Sequence, residues 1–389
     1  MILPSPISQT RCVKRIRFHD ASRSEYQTFF WMKNLSENNT VTEGAKLYHL
    51  SAHDQIQRWD SYVTAHAHGT AFHLSNWQKM IESSFRHEAR HIILENQEGD
   101  ILGILPLFLV RSRIFGRMLI STPQSAYGGI LADNDSGAGI LLAKAQEIAR
   151  IENVQFLELR NFQNILKAPQ LQAKDLYVTF RTELDADPEK NLLSIPRKTR
   201  AECRAGTKNA LEFKVDEVGI DDFYRIYSRS VRDLGTPVFS KRLFENGMRA
   251  FGDRCKIFSV HHKLKLVAAV WTLFYKDEVI PYYGGSIREY NHLAVNNFMY
   301  WMLMKHGCEN GYKIFDFGRS KKGTGSFDFK KRWGMTMADL PYQYYLVGKK
   351  SLPDTSPLNP KFAMSIRIWR KMPMPIANAF GPLIAKHLI

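Results

Sequence analysis

Residues 315–335 read FDFGRSKKGTGSFDFKKRWGM, a short apolar strand that runs into a basic loop punctuated by glycines. From Tyr312 to Trp333 there are seven Lys or Arg and two Asp, a net charge of +5. Gly318, Gly323 and Gly325 permit positive φ and close approach of backbone to a ligand. Arg319, Lys321 and Lys322, with Ser320 between them, are candidates to hold an anionic group with help from free backbone N–H groups. The aromatic residues at 315, 317, 327, 329 and 333 imply that this loop is anchored against a core. The Asp316-Phe317-Gly318 triplet is not the magnesium-binding element of a kinase, because the chain has neither an H-R-D catalytic loop nor a V-A-I-K strand. It also contains no G-x-x-x-x-G-K-[ST] phosphate loop.

The flanking sequence gives the wider pattern. Upstream, Val295–Glu309 reads as a long helix and Lys313–Phe317 as the strand after it. Before them come a helix at Asp221–Leu234 and three strands, at Cys255–His261, Leu266–Tyr275 and Val279–Tyr283. The first half repeats this order. Trp77–Phe85 has apolar residues at helical spacing, and His91–Asn96 with Ile101–Val110 reads as a strand hairpin whose second strand is apolar on both faces. Glycines from Tyr127 to Gly139 then lead into a helix at Ile140–Glu152 and a strand at Phe156–Arg160. Helix, hairpin, glycines, long helix and short strand thus occur twice. A repeat of about 150 residues indicates a duplicated domain, since solenoid repeats are about 20–50 residues long.

The chain has 389 residues, 44% of them hydrophobic and 24% charged. This composition excludes a disordered, collagenous or disulfide-scaffold protein. There are 54 Lys and Arg against 38 Asp and Glu, so the net charge is +16. That excess favours polyanionic partners, although a generally basic surface without a partner accounts for it equally well. Four scattered cysteines form no metal spacing and suit a reducing compartment, so no metal is expected and the cytoplasm is the expected location. The apolar run at 101–110 is too short to span a bilayer.

A second basic element, Ile195–Lys214, carries six Lys or Arg and two Glu. Arg200, Arg204 and Lys208 fall at near-helical spacing between the two repeats, where a substrate cleft would lie; a solvated helix face is the alternative. Tyr283, at the end of a strand, either lines that cleft or is buried structurally.

The segment 316–334, DFGRSKKGTGSFDFKKRWG, resembles the C-terminal motif of FemAB-like proteins, in particular the group associated with exosortase/PEP-CTERM exopolysaccharide systems. The resemblance extends from about residue 45 to 389 and includes YYGGSIREYNHLAVNNFMYWMLM (282–304), IPRKTRAECRAGTKN (195–209) and IWRKMPMPIANAFGPLIAKHL (368–388). It implies an α/β (α+β) fold of two tandem GNAT-like domains, each a mostly antiparallel sheet flanked by helices. The expected division is an N-terminal extension at 1–45, domains at 46–185 and 186–350, and a basic amphipathic tail at 351–389 that either docks on an anionic membrane surface or packs onto the second domain.

The implied activity is amide formation by acyl or aminoacyl transfer to an amine of a cell-envelope or exopolysaccharide precursor. The family's F-K-x-x-[FW]-G context falls on Phe329-Lys330-Lys331-Arg332-Trp333-Gly334, which assigns the catalytic place to Phe329 and Lys330 and adds Trp333 to the substrate site. A lysine cation near the reacting carbonyl would stabilise the oxyanion. The donor is either aminoacyl-tRNA or acyl-CoA, with no tightly bound cofactor. Before the helix at Val295 the chain has Glu289–Ala294, which lacks the glycines of the usual GNAT pyrophosphate loop. The expected partners are a phosphate-bearing substrate, tRNA and the cytoplasmic face of the inner membrane, without stable DNA binding. The alternative to catalysis is a GNAT-fold scaffold that holds an anionic sugar-nucleotide, lipid-linked or tRNA ligand.

Overall fold

In the computed structural model of the protein, residues 44–113, 115–162, 166–348, 351 and 363–387 are described. The expected extension at 1–45 lies almost wholly outside them. The first half contains β1 (Ala45–Leu47), α1 (His53–Ala65), α2 (Ser75–Phe85), β2 (Glu88–Ala89), β3 (Ile92–Glu95), β4 (Ile101–Leu105), β5 (Leu107–Ser112), β6 (Gly116–Ser121), β7 (Leu131–Ala132), α3 (Asp135–Ile151), β8 (Phe156–Leu159) and β9 (Gln172–Glu183). Two helices, α4 (Pro188–Ser194) and α5 (Arg197–Lys208), lead into β10 (Leu211–Val215), α6 (Ile220–Leu234), α7 (Lys241–Phe251), β11 (Cys255–His262), β12 (Lys265–Tyr275) and β13 (Glu278–Ser286). The chain continues through α8 (Val295–Glu309), β14 (Ile314–Asp316), β15 (Ser320–Lys321), α9 (Gly325–Lys331), β16 (Thr336–Leu346), α10 (Ala363–Arg370) and α11 (Met374–Ala385).

Each half contains one parallel strand pair joined through a long helix. β6 pairs with β8 by way of α3, and β13 pairs with β14 by way of α8. A parallel pair needs such a crossover, whereas the antiparallel pairs β3-β4, β5-β6, β11-β12 and β12-β13 are joined by short turns. The duplication read from the sequence is therefore present as two copies of one α/β unit.

The two copies share a sheet. Its order is β10-β11-β12-β13-β14-β9-β16-β8-β6-β5-β2, with β15 also on β9. At its centre β9, from the end of the first half, pairs with β14 and β16, and β16, from the end of the second, pairs with β8. The expected boundary at 185/186 falls in the loop after β9, yet the sheet runs through it. The sequence reading did not pick out β9 or β16.

The single strand expected at 101–110 is a correction. Pro106 divides it into β4 and β5. β4 joins a smaller sheet of order β1-β3-β4-β7, while β5 joins the large one. Proline has no N–H for the ladder, so it marks the place where the chain leaves one sheet for the other. The helix expected from Ile140 begins earlier, at Asp135, where the Asn134 side chain accepts a bond from the Gly137 N–H.

Apolar side chains cover both faces of the large sheet. One cluster holds Trp59, Phe72, Trp77, Tyr127, Phe223 and Trp271, and the other holds Phe180, Cys203, Phe258, Phe298, Phe315 and Trp333. β12 feeds both: Ala269, Trp271 and Leu273 point into the first cluster, and Ala268, Val270 and Phe274 into the second. A bulge opposite Trp271 and Thr272 leaves Tyr282 of β13 as the extra, unpaired residue of the ladder. Cys203, Cys255 and Cys308 are free and buried. Among the described residues, no helix is long and apolar enough to cross a membrane.

Candidate functional site

Parallel pairing of β13 with β14 covers only Glu278 with Ile314 and Val279 with Phe315. Beyond it the strands diverge, and Tyr282 of β13 stands beside Gly318 in the opening. Gly318 has φ +65, and a Cβ there would lie 3.6 Å from the Tyr282 ring. β6 and β8 part in the same way after Ile120 and Glu158. The segment between them, 122–130, is a buried irregular loop inserted between the halves.

A buried loop must satisfy its own carbonyls without water. Here side chains from both halves do so. Tyr282 Oη donates to the Gln124 carbonyl at 2.8 Å and Arg160 Nη1 to that of Ser125 at 3.0 Å. Tyr342 Oη donates to the Ala126 carbonyl and Thr122 Oγ1 to that of Gly128. Thr122 and Gln124 are held at positive φ, 39° and 63°. Strain of this kind persists only where the surroundings over-determine the backbone, as they do at binding sites.

Asp316 lies at the end of β14 and is fully buried. Its Oδ1 accepts from Thr179 Oγ1 and from the Gly318 N–H, both at 2.7 Å. Its Oδ2 accepts from Tyr127 Oη and, at 3.0 Å, from Arg181 Nη1. Arg181 also pairs with Glu278. Burial, reinforced by the Asp316 and Glu278 charges, holds the Tyr127 phenol well above its usual range, so it remains a donor. Glu158 takes the corresponding place on β8 and is bonded by Arg160 at 2.7 Å. The pattern FLELR against IFDFG carries this parallel, and it was the signal by which the sequence could have revealed both acids. Sequence reading considered Asp316 only as part of a rejected kinase motif and did not single out Tyr127, Arg160, Arg181 or Tyr342.

Arg319 and Lys330 adjoin this network. The half-buried Arg319 guanidinium sits 4.7 Å from the Tyr177 ring centroid and 5.8 Å from that of Tyr342, and it donates to Tyr342 Oη at 3.2 Å. Among the described residues it contacts no carboxylate. Lys330, on α9, donates from Nζ to the carbonyl oxygens of Phe317 at 2.6 Å and Gly318 at 3.2 Å, with that of Arg319 at 3.5 Å. Burial lowers its pKa to about 8, with Asp316 opposing and Arg319 adding to the shift. Phe329 is half-buried against Tyr300 and Trp333.

The other expected site residues lie elsewhere or are already engaged. Trp333 is 2% exposed and fills the second core cluster against Phe317, so it is a packing residue and not a wall of the site. Lys322 is bound by Asp175 at 2.6 Å and Asp339 at 2.9 Å. Ser320 is buried, and its hydroxyl has no partner among the described residues. Arg200 donates to the carbonyls of Leu193 and Ile195, closing the end of α4. Arg204 is exposed, 3.8 Å from Glu189, and Lys208 is exposed at the end of α5. These three residues do not meet Arg319 and Lys330 in one constellation. Tyr283 packs into an aromatic group with Tyr227, Phe244 and Trp271, its hydroxyl 3.5 Å from the Gln124 carbonyl.

The turn before α8 is closed on itself. Residues 288–293 form a 3-10 turn, and the N–H groups of Tyr290 and Ala294 bond to the carbonyls of Ile287 and Asn291. The start of α3 opens onto a cleft of about 800 Å³ lined by Asp133 and Asp135 as well as His66 and Lys167. Two carboxylates there oppose an anionic guest.

Comparisons with known proteins agree with this fold. Residues 197–331 match the model of the acetyltransferase (GNAT) domain family. The crystal structure of FemX superposes on 78% of this chain and 98% of its own at a TM-score of 0.62, with 17% identity. A tandem GNAT protein from the clavulanic acid biosynthesis pathway covers 79% of this chain and 100% of its own, with a TM-score of 0.51 and 13% identity. The C-terminal domain of a putative lysylphosphatidylglycerol synthetase from Agrobacterium fabrum covers 76% and 91%, with a TM-score of 0.51 and 14% identity. No curated protein matches the sequence. The chain has a tandem GNAT fold, and its residues 197–331 match the acetyltransferase (GNAT) domain model.

Proposed function

We propose that the protein is an amide-forming N-acyltransferase or aminoacyltransferase whose acceptor is a phosphate-bearing cell-envelope or exopolysaccharide precursor of an exosortase/PEP-CTERM system. The observation that carries this reading is the Arg319 guanidinium. It is half-buried, without a carboxylate among the described residues, and stands where β13 and β14 part in a GNAT fold. A cation desolvated on tyrosine faces attracts an anion more strongly than one in open water.

In the proposed step the acceptor amine attacks the donor's ester or thioester carbonyl. A C–N bond forms and the tetrahedral oxyanion collapses. The tRNA hydroxyl or the thiol leaves, taking up the proton lost by the amine. Lys330, with Phe329 beside it, supplies positive charge behind the 317–319 backbone for the oxyanion phase. Asp316, whose carboxylate accepts from four donors, positions that backbone. The closed turn before α8 and the carboxylates at the start of α3 favour a donor held by something other than a pyrophosphate loop, and of the two donor classes this favours aminoacyl-tRNA. The exposed cations of α5, Arg204 and Lys208, would meet its phosphates.

The test is mass spectrometry of products after incubation with charged tRNA, acyl-CoA and envelope precursors. An amide product lost in Lys330→Ala supports the proposal. Binding of a precursor without turnover supports the scaffold alternative.

A further inference from the structure

The last two helices both present large apolar side chains to solvent. In α11, Ala377, Gly381 and Ala385 recur at i, i+4 and i+8 and are buried. A Cβ on Gly381 would lie 2.6 Å from Val238 Cγ2, so the helix is seated too closely for a larger residue. The opposite face presents Ile376, Phe380 and Leu383 at 44%, 57% and 56% exposure. α10 is mixed: its Trp369 is buried and its Ile366 lies against Gly235 at the end of α6, while Met364 and Ile368 are 62% and 57% exposed. A helix packed for water places its large apolar residues toward the core, so the arrangement of α11 is inverted.

The charges beside these side chains have one sign. Residues 363–387 contain Arg367, Arg370, Lys371 and Lys386 and no Asp or Glu. The pair is also fixed to the body of the protein: Arg232 of α6 donates to the Met372 carbonyl and Arg370 to that of Leu234. The docked tail is therefore both packed on the second half and apolar on its outer face.

We propose that α10 and α11 form an interfacial surface that docks on an anionic lipid bilayer. The exposed apolar side chains enter the headgroup and upper acyl region, and the flanking cations pair with lipid phosphates. Charge complementarity selects this occupant, since cations of a single sign around outward apolar ridges match a surface of uniform negative charge. A second copy of this chain would set cations against cations. The inference does not depend on the transfer reaction, because the surface lies outside the Arg319 site.

Sedimentation of the full chain with vesicles tests it. Wild-type protein is expected to pellet with mixed phosphatidylcholine and phosphatidylglycerol vesicles and not with phosphatidylcholine alone, and to be released by high salt. Phe380→Glu with Leu383→Glu should cut the bound fraction by about tenfold or more, because each places a carboxylate in the interface. Both side chains are exposed, so the circular dichroism spectrum should be unchanged. Lys371→Glu with Lys386→Glu should weaken binding by the charge term alone. Wild-type protein that stays in the supernatant, or variants that pellet like the wild type, would overturn the proposal. So would a dimer on gel filtration that the same variants dissolve, since the surface would then be a contact between copies.

Discussion

Replacing Lys330 with methionine removes a buried ammonium while keeping the length of its stem. The Phe317 and Gly318 carbonyls lose their donor, a loss of about 1–3 kcal/mol if they stay dry. Burial, however, also holds the Lys330 pKa at about 8, below its usual 10.5. Below about pH 8 the lysine is charged in both folded and unfolded states, and the folded protein bears the desolvation penalty. Between about pH 8 and 10.5 the unfolded chain binds more protons than the folded one, so stability rises with pH in that window.

For these two pKa values the rise between about pH 7 and pH 9.5 is about 2 kcal/mol. Lys330→Met cannot show it. Urea unfolding of both proteins across that range should therefore give curves of stability against pH that diverge by about 2 kcal/mol, with the wild type gaining. The buried tyrosines titrate alike in both proteins and cancel in the difference. Activity gives an independent readout: wild-type turnover should fall above about pH 8 as the cation is lost, and the variant should be slower by about 10²–10³-fold throughout. Parallel stability curves would refute the pKa argument, and a variant with near wild-type turnover would remove Lys330 from the reaction.

Asp316→Ala leaves Arg181, Tyr127, Thr179 and the Gly318 N–H without their acceptor. It should destabilise the protein by about 3–5 kcal/mol in thermal or urea unfolding, as expected when one member of a buried ion pair is removed. Arg319→Gln should weaken binding of a phosphate-bearing precursor by about tenfold or more and make it less sensitive to salt, while Arg204→Ala leaves it within about twofold; isothermal titration at two salt concentrations measures both. Gly206→Ala would place a Cβ 2.4 Å from Phe298 Cβ, where α5 meets α8. Overpacking there should cost about 1–3 kcal/mol, seen as a lower midpoint of denaturation.

The sequence by itself determined the duplicated order of elements. Apolar spacing located α2, α6 and α8, and strand-length apolar runs located β11, β12 and β13, because these patterns follow from one face meeting a core. It also located the Phe329-Lys330 pair through its motif. Tertiary structure decided which segments meet. Tyr127 and Asp316 are separated by 189 residues, and Thr179 and Asp316 by 137. No local periodicity records such a pairing. Whether a cation is free to bind a ligand depends on such distant partners. Arg319 and Lys322 look alike three residues apart, yet β9 and β16 bring two aspartates to Lys322 and only tyrosine faces to Arg319. The C-terminal helices show the same division. In α11 the alternation of small and large residues is visible in the sequence, but only the seat on Val238 reveals that the small face is the buried one, because close packing there admits nothing larger than a glycine hydrogen or an alanine methyl group.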